Sequence, residues 1–133
     1  MGDNTERKIE NLEDGATRTV LFHYNGRIWK ERISYYGETK SIAWFNIHGK
    51  KVEFHSYKYG KLNGRYCVWS DNGIKKEEGK FCIGKRVGIW EFFDGNGVLK
   101  RSLNYNNDHI FFSMFQTAAY FIDKGFFPLK KKA

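Results

Sequence analysis

The sequence predicts an all-β fold: an elongated, single-layer antiparallel meander of β-hairpins, ended by a C-terminal capping α-helix. Three observations carry this expectation. A repeat of 23 to 24 residues runs along the chain, with Gly26, Gly49, Gly73 and Gly97 in one column. Each of these glycines follows a turn-forming residue or histidine (Asn25, His48, Asn72, Asn96), and Asn-Gly between aromatic-rich segments is the strongest short hairpin signal. Aromatic residues make up 18% of the chain beside 14 glycines and one proline, a mixture that suits strands punctuated by turns.

Taken in order, the first segment is residues 1–16, an acidic arm. Asp3, Glu6, Glu10, Glu13 and Asp14 stand there against two bases, and a short helix or a loose arm lying on a basic body is expected. Residues 17–108 form the hairpin array. Eleven residues after the first three turn glycines come Gly37, Gly60 and Gly84, and four residues later Ser41, Gly64 and Gly88. Each unit therefore reads as a strand, a two-residue Asn-Gly turn of type I′, a second strand, and a looser Gly-x-x-x-Gly link to the next hairpin. Aromatics recur four residues before each turn glycine (Phe22, Phe45, Trp69, Phe93), and Ser34, Tyr57, Phe81 and Tyr105 recur eight residues after it. The period is too short for a helix plus two strands, and one hairpin alone is marginal in water, so stacking along a sheet must supply the stability.

Residues 109–133 break the period. Ile110, Phe111, Met114, Phe115, Ala118 and Ile122 fall at helical spacing, Asp108 can cap the start and Gly125 can end it. Phe112 and Phe121 lie off that stripe, so the predicted helix is apolar most of the way round. Two uses stay open. It is a lid on the last hairpin and one sheet face, or a docking helix for a partner or membrane surface through Phe111, Phe112, Phe115 and Phe121, backed by the tail Lys130-Lys131-Lys132.

A two-residue turn at Asn72-Gly73 sets the register. It places Cys67 opposite Glu78, Tyr66 opposite Gly79 and Trp69 opposite Lys76; the next hairpin places Trp90 opposite Leu103 and Phe93 opposite Lys100. Side chains alternate, so Tyr66, Val68, Trp90 and Phe92 share one face while Cys67, Trp69, Ile89 and Phe93 share the other. Cys82 then lies on the order of 13 Å along the strand from the residue facing Cys67. That is beyond disulfide reach, so two free thiols and a reducing, cytoplasmic or intracellular setting are expected.

Charge is lopsided. The formal net charge is +8, and residues 16–133 alone carry +11. Such a body attracts phosphates, acidic protein faces or anionic membranes, or simply keeps an aromatic-rich strand protein soluble. No apolar run approaches the ~20 residues of a membrane span, no signal-peptide core follows Met1, and Glu6 stands where a myristoylation signal needs Ser or Thr. His23, His48, His55 and His109 are scattered, and nucleophile-elbow, metalloprotease and Walker motifs are missing, so no catalysis, metal, cofactor or small-molecule substrate is expected. Asp71 and Asp94 read as turn formers in matching positions, and Gly84-Lys85-Arg86-Val87-Gly88 as a hairpin link rather than a phosphate cradle.

Gly60-Lys61-Leu62-Asn63-Gly64-Arg65-Tyr66 and Gly84-Lys85-Arg86-Val87-Gly88-Ile89-Trp90 resemble MORN repeats, and more closely the variant MORN repeat of antitoxin-like bacterial proteins and large DNA viruses. The resemblance covers residues 17–108, most strongly 60–105; Ser41 and Ile42 depart from it in the first repeats. It implies a non-catalytic scaffold for protein–protein interaction, antitoxin-like or viral structural, with lipid head groups or self-association as further uses in some members. From the residues themselves, the expected partner surface is an aromatic and basic ladder of Tyr66, Trp69, Lys75, Lys76, Trp90, Phe93, Lys100 and Arg101. It suits a protein with an acidic or apolar surface; nucleic acid or an anionic lipid surface is the alternative, and a homo-oligomer or larger assembly stays open.

Overall fold

The computed structural model describes residues 7–108, so the acidic residues 1–6 and the C-terminal segment 109–133 lie outside the described residues. The chain forms nine strands: β1 (Arg7–Asn11), β2 (Ala16–Phe22), β3 (Ile28–Tyr35), β4 (Glu38–Phe45), β5 (Lys51–Lys58), β6 (Lys61–Trp69), β7 (Lys75–Cys82), β8 (Lys85–Phe93) and β9 (Leu99–Asn104). A short 3-10 turn, Tyr105–Asp108, follows β9. Every strand pairs antiparallel with its sequence neighbour in one open sheet, β1 through β9 in order. The all-β meander is therefore as expected. The predicted capping helix falls on residues outside those described.

Several expectations are corrected, the first two in the strands and turns. Arg7–Asn11, assigned to a helix or loose arm, is a strand paired with β2, Ile9 facing Thr19. Its turn is built on Asp14-Gly15: Gly15 has φ +90, and Asp14 Oδ1 accepts the Ala16 amide at 3.0 Å. The second correction inverts the turn chemistry. At Asn25-Gly26, His48-Gly49, Asn72-Gly73 and Asn96-Gly97 only the glycine has positive φ, and its amide donates to the carbonyl three residues back, as in Gly73 N to Ser70 O at 2.9 Å. That is a type I turn closed by a left-handed glycine, not type I′. The type I′ turns are the links taken to be loose. Tyr36-Gly37, Tyr59-Gly60 and Ile83-Gly84 have both residues left-handed and sit between the facing pairs Tyr35–Glu38, Lys58–Lys61 and Cys82–Lys85.

The register follows from these turns. Cys67 faces Glu78, Tyr66 faces Gly79 and Trp90 faces Leu103, as expected. Beside each Asn-Gly turn a bulge then shifts the ladder by one, so Trp69 meets Lys75 rather than Lys76, and Phe93 meets Leu99 rather than Lys100. The second glycines of the Gly-x-x-x-Gly links are bulges too. Gly64 and Gly88 have φ +98 and +70, and β6 advances four residues, from Leu62 to Tyr66, while β5 advances two. Asp94 also differs from Asp71. It opens its turn and its Oδ1 accepts the Asn96 and Val98 amides at 2.8 and 3.0 Å, bonds that hold its carboxyl below the usual range. Ser70, not Asp71, opens the preceding turn, with Oγ accepting the Ile74 amide at 3.2 Å.

Because the pairs run on from strand to strand, residues fall into two faces. One row reads Val20, Glu31, Ala43, Phe54, Cys67, Glu78 and Glu91, the Cys67 face. The other carries Arg32, Ile42, His55, Tyr66, then Trp90 and Leu103, the Trp90 face. Core atoms come from both: Val20 and Cys67 are buried on the first and Trp90 on the second. Gly79 makes room for Trp90, since a Cβ there would sit 2.1 Å from the indole Cδ2. The indole nitrogen donates to the Lys80 carbonyl at 3.1 Å.

Candidate interaction surfaces

Alternation puts the column Phe22, Phe45, Trp69 and Phe93 on the Cys67 face, near the Asn-Gly turns. All four are half-buried. Cations lie over this column: Lys51 Nζ is 5.9 Å from the Phe45 ring and 5.5 Å from Phe54, Arg65 is 5.8 Å from Phe54, and Lys75 is 6.0 Å from Phe93. Glu78 ties Arg65 and Lys75 together at 3.1 and 2.6 Å. Burial alone would raise its carboxyl, but these hydrogen bonds outweigh burial and hold it below the usual range. Toward the other end Arg18 bridges Glu10 and Glu31 at 3.1 and 2.6 Å. Cys67 beneath is fully buried; burial, with Glu78 opposite, pushes its thiol up.

The Trp90 face carries a packed aromatic run that the sequence reading missed in large part. Trp44, His55, Tyr66 and Trp90 succeed one another at 4.8, 4.6 and 5.4 Å between ring centroids, with His55 nearly parallel to Tyr66. Phe81 and Tyr105 meet Trp90 edge-on at 5.2 and 6.2 Å. The Arg86 guanidinium lies 4.3 Å over Trp90 and donates to Tyr105 at 3.0 Å. Half-buried titratable groups in the run include Tyr66, whose pKa burial raises, and His55. Burial lowers the His55 pKa against the opposing pull of Glu53, whose Oε1 is 3.2 Å from Nε2. The signal for these residues was present: His55, Trp44 and Phe81 lie on the parity of Tyr66 once the bulges are known.

The eight expected ladder residues thus do not form one patch. Tyr66, Trp90 and Arg101 belong to the Trp90 face, with Trp90 fully buried and Arg101 4.9 Å over Phe92. Trp69, Lys75 and Phe93 belong to the Cys67 face. Lys76 and Lys100 are the exposed extra residues of the two bulges. Phe111, Phe112, Phe115 and Phe121 lie outside the described residues. Cys67 and Cys82 are both free thiols. Among the described residues, no three His, Cys, Asp or Glu side chains converge as a metal site would need, and no helix is long and apolar enough to cross a membrane. No protein-family model matches the chain, and no curated protein matches it.

Proposed function

We propose that this chain is a non-catalytic, MORN-like hairpin array that binds a protein partner along its Cys67 face. The observation that carries this reading is the aromatic column of the Cys67 face, where Lys51, Arg65 and Lys75 lie over Phe45, Phe54 and Phe93 and Trp69 stands half-buried opposite Lys75. Half-exposed aromatics beside solvent-facing cations are the composition of a protein-interface patch, and they suit a partner with acidic and apolar surface. The role is that of an inhibitor holding another protein silent or an accessory piece of a larger assembly, in a reducing compartment that keeps Cys67 and Cys82 as thiols.

At the end of the described chain Tyr105 leaves β9 against Trp90, and the Asn106 side chain accepts the Gly88 amide at 2.9 Å, so the chain departs on the Trp90 side and the Cys67 face is the one proposed for the partner. In a binding titration, Trp69→Ala and Phe93→Ala each weaken the partner by ~2 kcal/mol, the usual loss at an interface anchor. Unchanged affinity in both variants, each folded by circular dichroism, contradicts the reading.

A further inference from the structure

We propose that the tight-turn edge of the sheet, at Tyr36, Tyr59 and Ile83, is a binding edge for single-stranded nucleic acid, at the end of the sheet away from the Phe45, Trp69 and Phe93 column. The turns there run against local chemistry. A type I′ turn needs left-handed backbone at its first central residue, where Asn or Gly fits best. The chain instead places Tyr36 at φ +49, Tyr59 at +54 and the β-branched Ile83 at +42, all strained positions. It places Asn72 and Asn96 in turns that do not require positive φ of them. The strained tyrosines are also the most open aromatics of this edge, 85% and 71% exposed.

A second conflict sits beside the first. Lys58 and Lys61 face each other directly across the strand pair, an arrangement of like charges that weakens a sheet. Lys58 Nζ lies 5.2 Å over the Tyr59 ring. The Lys61 stem runs along the edge, its Cδ 4.0 Å from where a Cβ on Gly84 would sit, and Lys85 takes the place of Lys61 at that next turn. The turn amides are already engaged. Tyr59 N donates to Glu38 at 2.7 Å, Ile83 N to Asn63 at 2.9 Å and Gly84 N to the Leu62 carbonyl at 2.7 Å. The row is therefore stiff, and a ligand must be held by side chains.

Both conflicts are relieved by one kind of ligand. An anion between Lys58 and Lys61 removes the repulsion, and flat rings on Tyr36 and Tyr59 repay their exposure. Successive turns lie two strands apart, roughly 10 Å, so the features recur along a line rather than at a point. A single strand offers phosphates and unstacked bases in one chain. An acidic peptide offers the charge without the rings, and a duplex keeps its bases turned inward.

The test is a fluorescence-anisotropy titration of the full chain with fluorescein-labelled oligothymidylate of twenty nucleotides. Wild type is compared with Tyr36→Asn/Tyr59→Asn and with Lys58→Glu/Lys61→Glu. The expected salt dependence has a log–log slope of about −1.4, from two lysines on a single strand. The double asparagine variant binds about 25-fold more weakly, at about fivefold per lost stacking tyrosine. It also unfolds at a higher temperature, because Asn suits left-handed backbone; a merely structural role for the tyrosines would not separate the two readouts in this way. The glutamate pair loses the oligonucleotide. Equal binding of a duplex, equal competition by polyglutamate, tighter binding to phosphatidylserine vesicles, or unchanged affinity in the asparagine variant each overturns the proposal.

Discussion

Gly79→Ala is the sharpest structural test of the packing on the Trp90 face. Gly79 lies in β7 without positive φ, so a methyl group there meets no backbone penalty; what it meets is the indole of Trp90, at 2.1 Å from Cδ2, 2.2 Å from Cε2 and 2.6 Å from Cγ. All three contacts are far inside van der Waals range and fall on a rigid ring. Trp90 is fully buried and its nitrogen is bonded to Lys80 O, so the ring must leave its slot rather than shift by tenths of an ångström. A Trp buries on the order of 200 Å², which at ~25 cal/mol/Å² sets an upper limit of about 5 kcal/mol for complete ejection. Overpacking with partial relaxation costs about 1–3 kcal/mol. The expected destabilisation is therefore about 3 kcal/mol, read as a lower midpoint at constant slope in urea unfolding followed by far-ultraviolet circular dichroism. Two other glycines calibrate it. Gly95→Ala meets nothing within 4 Å and no positive φ, so it changes stability by less than about 0.5 kcal/mol. Gly60→Ala also meets nothing, but its φ of +76 costs about 1 kcal/mol. In a Trp90→Leu background most of the Gly79→Ala penalty disappears. A penalty below about 1 kcal/mol, or one of the same size in that background, refutes the clash.

Further predictions concern groups the fold has buried or bonded. His55 has its pKa lowered by burial, so the unfolded chain binds the proton more readily than the folded one. Its contribution is intact above the unfolded value of ~6.5 and is lost as pH falls from there through the lowered folded value. His55→Gln should flatten the stability profile over that window while leaving the acid limb below it, where Glu78 and Asp94 titrate, unchanged. Alkylation with iodoacetamide should find Cys67 inert in the native protein, Cys82 slow, and both reactive in urea; native labelling of Cys67 contradicts its burial. Asp94→Ala removes the acceptor of two turn amides and should lower the unfolding temperature, whereas Asp71→Ala, exposed in its turn, should leave it nearly unchanged.

The sequence carried the order of the hairpins because the repeat is written in several columns at once, and parity then placed Tyr66 opposite Gly79 and Cys67 opposite Glu78. It did not carry the bulges. One extra residue beside each Asn-Gly turn moves Trp69 from Lys76 to Lys75, and a period of 23 to 24 is compatible with either count. The turn types were inverted for a related reason. Asn-Gly is a strong type I′ signal, whereas Tyr-Gly and Ile-Gly are poor ones, so only tertiary context holds Tyr36, Tyr59 and Ile83 left-handed. Strand β1 was hidden by charge: Arg7-Lys8-Ile9-Glu10-Asn11 has a single apolar residue, and at a sheet edge that is enough. Asp14-Gly15 was the overlooked sign of its turn. The candidate surface suffered most from register, since a shift of one residue decides which cation sits over which ring.

The central claim is that the Cys67 face holds a protein. It is tested most directly by a tagged pull-down from nuclease-treated lysate of the native cells, at low and high salt, comparing wild type with Trp69→Ala/Phe93→Ala. One protein retained by wild type through high salt and lost by the folded double variant is the predicted result. Equal retention by the variant, or recovery that vanishes for wild type at high salt, contradicts the account.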